Sequence, residues 1–167
     1  EQFDIIFRSP SIHPNSPALT TAKEKGAEIT SATRLFFELC RAQIIGVTGT
    51  KGKGTTSTLI YQILKKEGKD VYLGGNIGNS PLSFLEKLNE DSIVVLELSS
   101  FQLIDLEKSP HIAVILMTTS EHLDYHKDDA IWGPCSGLSF FNDSNLIFRR
   151  NSTHFIRYFR RIHWQDI

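Results

Sequence analysis

Three apolar runs, at 44–47, 93–98 and 112–117, alternate with stretches of helical pattern, and each ends against a polar cluster. Continuous apolar runs suit strands of a parallel sheet covered by helices on both faces, not half-solvated antiparallel strands. The pattern predicts an α/β chain. In such sheets ligands collect at the carboxyl ends of the strands.

Around these runs the sequence predicts a short buried strand at 3–7. A helix follows, with Ser16 as N-cap and Pro17 in its first position, running to about Lys25 and stopped by Gly26. Next come a minimal strand at 28–30 and a helix at 32–40 with Leu35, Phe36 and Leu39 on one face. After the first apolar run the expected elements are a helix from about Thr55 to Glu67, closed by Gly68, a strand at 71–73 and a helix at 81–88.

The turn after the strand at 44–47 reads Gly49-Thr50-Lys51-Gly52-Lys53-Gly54-Thr55-Thr56. Strand, glycine-rich turn with lysine, then helix is the arrangement of a phosphate cradle. Glycines let backbone N–H groups converge on an anion, the helix N-terminus faces it, and Lys53 adds a full charge. The match to G-x-x-x-x-G-K-[ST] is partial: Val47 stands at the first glycine position and Gly54 where the metal-binding hydroxyl belongs. The hydroxyls follow at Thr55 and Thr56.

Other strand ends carry further polar groups. Gly74-Gly75-Asn76-Ile77-Gly78-Asn79 allows close backbone approach and offers an amide, or is an ordinary glycine turn. Glu97, followed by Leu98-Ser99-Ser100-Phe101-Gln102, is an acid at the end of an apolar strand. With Thr55 or Thr56 it suits a hard dication such as Mg²⁺; alternatively it caps the next turn. Thr118-Thr119-Ser120-Glu121-His122-Leu123-Asp124-Tyr125-His126 could bind metal or cap a helix, without a zinc spacing.

Composition sets the class. The chain has 167 residues, 40% hydrophobic and 22% charged, with net charge −1, which gives no reason to expect nucleic acid or membrane as partner. No apolar run approaches the roughly 20 residues that span a bilayer, and no signal-peptide pattern opens the sequence. Cys40 and Cys135 are lone, separated thiols, so a reduced cytoplasmic setting is expected. Residues 131–167 contain no Ala, Val, Glu or Lys, yet hold five of the eleven Phe and five of the eight Arg. Something changes at about residue 130.

In this order, Gly46-Val47-Thr48-Gly49-Thr50-Lys51-Gly52-Lys53, Gly74-Gly75-Asn76-Ile77-Gly78, Leu96-Glu97-Leu98-Ser99-Ser100-Phe101-Gln102-Leu103 and His122-Leu123-Asp124-Tyr125-His126 resemble the central ATP-binding domain of Mur ligases. Residues 3–40, with Ser9-Pro10-Ser11-Ile12, resemble the latter part of that family's Rossmann-like first domain. The resemblance implies a P-loop-containing parallel sheet with helices on both faces. It divides the chain into 1–41, the end of a UDP-substrate-binding domain; 42–130, a truncated ATP-binding domain; and 131–167, a divergent tail, out of frame or disordered.

The implied activity is ATP-driven amide formation in peptidoglycan synthesis, joining D-glutamate to UDP-N-acetylmuramoyl-L-alanine through an acyl phosphate, in a cytoplasmic monomer. ATP and Mg²⁺ are the implied cofactors. By resemblance, Lys53 and the loop 49–56 hold the phosphates, Thr55 or Thr56 and Glu97 serve the first Mg²⁺, and His122 serves the second. Asn76, Ser99 and Gln102 face the muramoyl-alanine end, with Ser9 and Ser11 near the nucleotide-sugar.

The sequence departs from the family in three places. Gly54 replaces the hydroxyl residue after the loop lysine, as in folylpolyglutamate synthetases, and Ser11 replaces the glycine of a Ser-Pro-Gly-Ile turn. The family's carbamylated lysine, some 14 or 15 residues past the His122 position, is met by Pro134-Cys135-Ser136-Gly137. The expectation is an internal fragment, inactive alone, whose residues from about 130 come from a shifted frame or an aberrant gene end. The alternatives are a folylpolyglutamate synthetase-like ligase and a non-catalytic nucleotide-binding module. Gly74-Gly75-Asn76-Ile77-Gly78 and Ser99-Ser100-Phe101-Gln102 speak against the former.

Overall fold

The computed structural model describes residues 3–117 and the backbone of Asn145–Phe148. Five parallel strands form the main sheet: β3 (Gln43–Thr48), β4 (Val71–Gly75), β5 (Ile93–Glu97), β6 (Ile112–Ile115) and β7 (Asn145–Phe148), in the order β4-β5-β3-β6-β7. A smaller parallel pair, β1 (Ile5–Phe7) and β2 (Glu28–Thr30), precedes it. The helices are α1 (Pro17–Glu24), α2 (Ala32–Leu39), α3 (Lys53–Lys66) and α4 (Ser100–Leu103).

The apolar runs behave as their composition requires. Along β3 and β5 successive side chains enter opposite cores. Ile44, Val94 and Leu96 pack with Phe36, Phe37 and Phe84 on one face, while Ile45, Val47 and Val95 meet Ile60, Tyr61 and Leu64 of α3 on the other. The sheet is thus covered on both sides, as expected. The division expected at 41/42 falls between α2 and β3, yet Phe36 and Phe37 of α2 lie in the core of the main sheet.

Three expectations are corrected. The strand at 3–7 is not buried: Ile5 and Phe7 are 55% and 56% exposed. β1 pairs only with β2 among the described residues, and the face carrying Ile5 and Phe7 is exposed while Ile6 on the other is half-buried. The helix at 81–88 is a 3₁₀ helix, Pro81–Lys87. Its spacing explains this, because side chains three apart eclipse in a 3₁₀ helix: Pro81 and Phe84 are buried, and Leu82, Leu85 and Leu88 pack partly buried against the same core. Third, α3 begins at Lys53, two residues before the expected start, because Gly52 caps it in a left-handed conformation (φ 87°) that favours glycine. β7 lies within the stretch read as a divergent tail, and no strand was expected there; the rest of 131–167 lies outside the described residues.

Candidate functional site

The chain runs from β3 to β4 on one side and from β5 to β6 across β3 to the other, so the sheet changes direction beside β3. The carboxyl ends of β3, β4 and β5 meet there, as the strand-end rule requires. Thr48, the last residue of β3, donates its hydroxyl to Leu98 O at 2.9 Å, and Leu98 N–H donates to Val47 O at 2.9 Å. The loop that follows is stitched to the end of β6: Leu116 N–H donates to Thr48 O at 2.9 Å and Thr50 N–H to Met117 O at 3.0 Å. Thr48 was not singled out by sequence; its signal is a buried hydroxyl residue ending an apolar strand.

Within this loop Lys53 Nζ donates to Gly49 O at 2.9 Å and to Thr50 O at 3.2 Å. The ammonium therefore closes the loop over itself, at the N-terminus of α3. Lys51 is exposed at the loop apex, and in the first turn Thr55 is exposed and Thr56 half-buried.

Glu97 ends β5, which pairs in register with β3 and places Glu97 beside Val47. It is 4% exposed. Asn76 Nδ2 donates to Glu97 Oε1 at 3.4 Å, while Oε2 has no hydrogen-bond partner among the described residues. A Cβ placed on Gly54 would stand 3.4 Å from that oxygen, so the free carboxylate oxygen faces the first turn of α3. Leaving a buried carboxylate oxygen unpaired is costly. A hard divalent cation, which takes carboxylate oxygen and keeps several waters, fits the donor set. The described residues contain no cluster of three His, Cys, Asp or Glu, so any cation here would rest on Glu97 without a full set of such side chains from them.

The loop after β4 is built around the same residue. Asn76 N–H donates to Glu97 O at 2.9 Å. Gly75 sits at φ 103°, and a Cβ there would meet Glu97 O at 2.2 Å. Only glycine permits this approach.

A second group of residues lies beside α2. A pocket of about 150 Å³ is lined by Arg8, Ser31, Thr33, Gly75, Ser80 and Gln102, among others. Gln102 Oε1 accepts from Ser99 N–H at 2.9 Å and Ser99 Oγ at 3.0 Å, and its Nε2 donates to Thr33 Oγ1 at 3.3 Å. Ser99 and Gln102 thus spend these groups capping α4 and tying it to α2. Ser9 and Ser11 lie next to the pocket residue Pro10, their hydroxyl oxygens 3.0 Å apart. The turn forms with serine in third place, for Ile12 N–H donates to Ser9 O at 2.9 Å.

A second residue that sequence reading missed is Arg8. Its side chain is 1% exposed and meets Asp105 Oδ2 at 2.8 Å, with further donations to Ile12 O at 2.7 Å and Phe101 O at 3.2 Å. One guanidinium thereby joins the turn after β1 to the segment after β5. An arginine closing an otherwise apolar strand was the available signal.

Of the predicted site residues, the structure brings Lys53, Gly54, Glu97 and Asn76 to one end of the sheet, and Ser9, Ser11, Ser99 and Gln102 to the neighbouring pocket region. His122, with the rest of 118–126, lies outside the described residues.

Residues 47–130 match the Mur ligase middle domain. A UDP-N-acetylmuramoylalanine–D-glutamate ligase of Clostridium botulinum (strain Hall) is 43% identical over 147 residues, which cover 87% of this chain and 32% of that protein. A protein of the same name from Clostridium kluyveri is 53% identical over 126 residues, covering 75% of this chain and 28% of that protein. The chain spans about a third of the length of the curated relatives it matches.

Proposed function

The chain belongs to the Mur ligase middle domain family, and on that premise we propose that it carries the nucleotide-binding part of an ATP-dependent carbon–nitrogen ligase. The ligase joins D-glutamate to UDP-N-acetylmuramoyl-L-alanine in peptidoglycan synthesis, through an acyl phosphate. The names of the two clostridial relatives support this choice of substrates over a folylpolyglutamate synthetase-like one. The observation that carries the reading is one helix start, where Lys53 bonds back to the loop and the unpartnered oxygen of Glu97 faces the next residue.

In this reading the loop 49–56 is the phosphate cradle. Its backbone N–H groups and Lys53 neutralise and orient the phosphates, which is most of what a protein contributes to phosphoryl transfer. Glu97, held by Asn76, carries Mg²⁺, which when bound offsets the phosphate charge. His122 serves a second cation. The pocket beside Gln102, with Ser9, Ser11 and Ser99 around it, receives the muramoyl-alanine end. Residues 1–41 then belong to a Rossmann-like substrate domain, 42–130 to the ATP-binding domain and 131–167 to a divergent tail, in a cytoplasmic monomer.

The test is calorimetric titration with Mg²⁺-ATP. The wild-type chain is expected to bind and Lys53→Ala to lose binding; unchanged affinity in the variant would overturn the cradle.

A further inference from the structure

Gly54 occupies the position at which a glycine-rich loop of this type offers a hydroxyl to its cation. The structure shows what the missing side chain would have met. A Cβ at residue 54 would lie 3.4 Å from Glu97 Oε2, with Ile77 Cγ2 next at 3.8 Å. A small side chain therefore fits beside the carboxylate without displacing backbone. Neighbouring ligands of an octahedral Mg²⁺, each at about 2.1 Å from the metal, stand about 3 Å apart. A hydroxyl one bond beyond that Cβ can reach such a separation from Oε2.

Neither nearby threonine leaves the helix on the same face. α3 runs unbroken from Lys53, so Thr55 and Thr56 leave the helix about 100° and 200° around from residue 54. Thr55 is exposed, in keeping with a position turned from the buried Glu97. The helix side of the seat is open.

We propose that Gly54 loosens the cation seat of this chain by leaving one coordination position to water, so that the cation rests on Glu97 through a single protein oxygen from the described residues. The inference rests on the cradle reading above. It deepens that reading: the first turn supplies space where a hydroxyl would supply a ligand. A hydrated seat of oxygen ligands also admits Mn²⁺, so Mn²⁺ serves as a probe of it.

The test uses the full 167-residue chain with Mn²⁺ as the probe, followed by electron paramagnetic resonance and water-proton relaxation, with and without ADP. Gly54→Ser is expected to tighten Mn²⁺ by about tenfold and to remove one exchangeable water from the bound ion, whereas Gly54→Ala does neither. In metal-free protein Gly54→Ser should melt above Gly54→Ala, because its hydroxyl donates to the free Oε2. The proposal is overturned if serine and alanine behave alike in both measurements. Glu97→Gln separates the two levels. Loss of Mn²⁺ in that variant together with an inert Gly54→Ser rejects the role of Gly54 alone. Retention of Mn²⁺ in Glu97→Gln rejects the seat itself.

Discussion

Asn76 holds Glu97 at both ends: its backbone N–H donates to Glu97 O at 2.9 Å, and its side-chain Nδ2 to Glu97 Oε1 at 3.4 Å. The glycine-rich turn after β4 thereby orients the acid that ends β5. Asn76→Ala should raise the Mg²⁺ concentration needed for half-maximal nucleotide binding by about tenfold, as loss of a partner to a metal-ligating group does. Far-ultraviolet circular dichroism should stay unchanged. Titration of Mg²⁺ at fixed ATP checks it, and a wild-type midpoint would remove Asn76 from this role.

Arg8 is the buried link between the small strand pair and the main sheet. Arg8→Ala strips the charge partner from Asp105, whose side chain is 17% exposed, and leaves backbone carbonyls of the turn without their donor. The expected loss is about 3 kcal/mol, the lower end for breaking a buried pair. Urea denaturation measures it. Arg8→Lys should recover only part, since an ammonium cannot reproduce the planar fork.

Gly75→Ala places a methyl carbon 2.2 Å from Glu97 O, in backbone that sits at φ 103°. Both the contact and the conformation must give way, and a loss above about 3 kcal/mol is expected. Thermal melting reads the effect. A melting temperature within a degree of wild type would mean that the approach of β4 to β5 is looser than described.

Cys40 is half-buried, with its thiol 3.8 Å from Ala42 O, and burial pushes its pKa upward. The folded chain therefore keeps the proton longer than the unfolded chain does. Alkylation by iodoacetamide should be slow at neutral pH and accelerate only above the ordinary thiol range, while denaturant restores the usual profile. The stability contributed by the buried thiol is fully present below the ordinary thiol range and is lost as pH rises from there through the raised value of the folded chain. Peptide mass mapping, which separates Cys40 from Cys135, follows the reaction.

Much of the architecture was legible because apolar strands and glycine turns are local signals. The runs at 44–47 and 93–98 foretold strands buried on both faces, and their polar ends pointed to Lys53 and Glu97. What was not legible depended on partners distant in sequence. Phe7 is apolar and was read as buried, but its exposure follows from what packs against β1. Arg8 meets Asp105, 97 residues away. Gln102 was read from its strand-end motif, but its bond to Thr33, 69 residues away, which ties α4 to α2, carries no local signal. Residues 81–88 show a subtler limit, because apolar spacing of three and of three-to-four cannot be told apart over two turns.

In the proposed cradle, the bonds from Lys53 to the carbonyls of Gly49 and Thr50 bear on how an anion would be received. The ammonium has already traded part of its hydration for backbone dipoles, and its long side chain is already immobilised. On the cradle reading, an arriving phosphate would meet a cation readied by the resting fold, and less of the cost of ordering would fall on the moment of encounter.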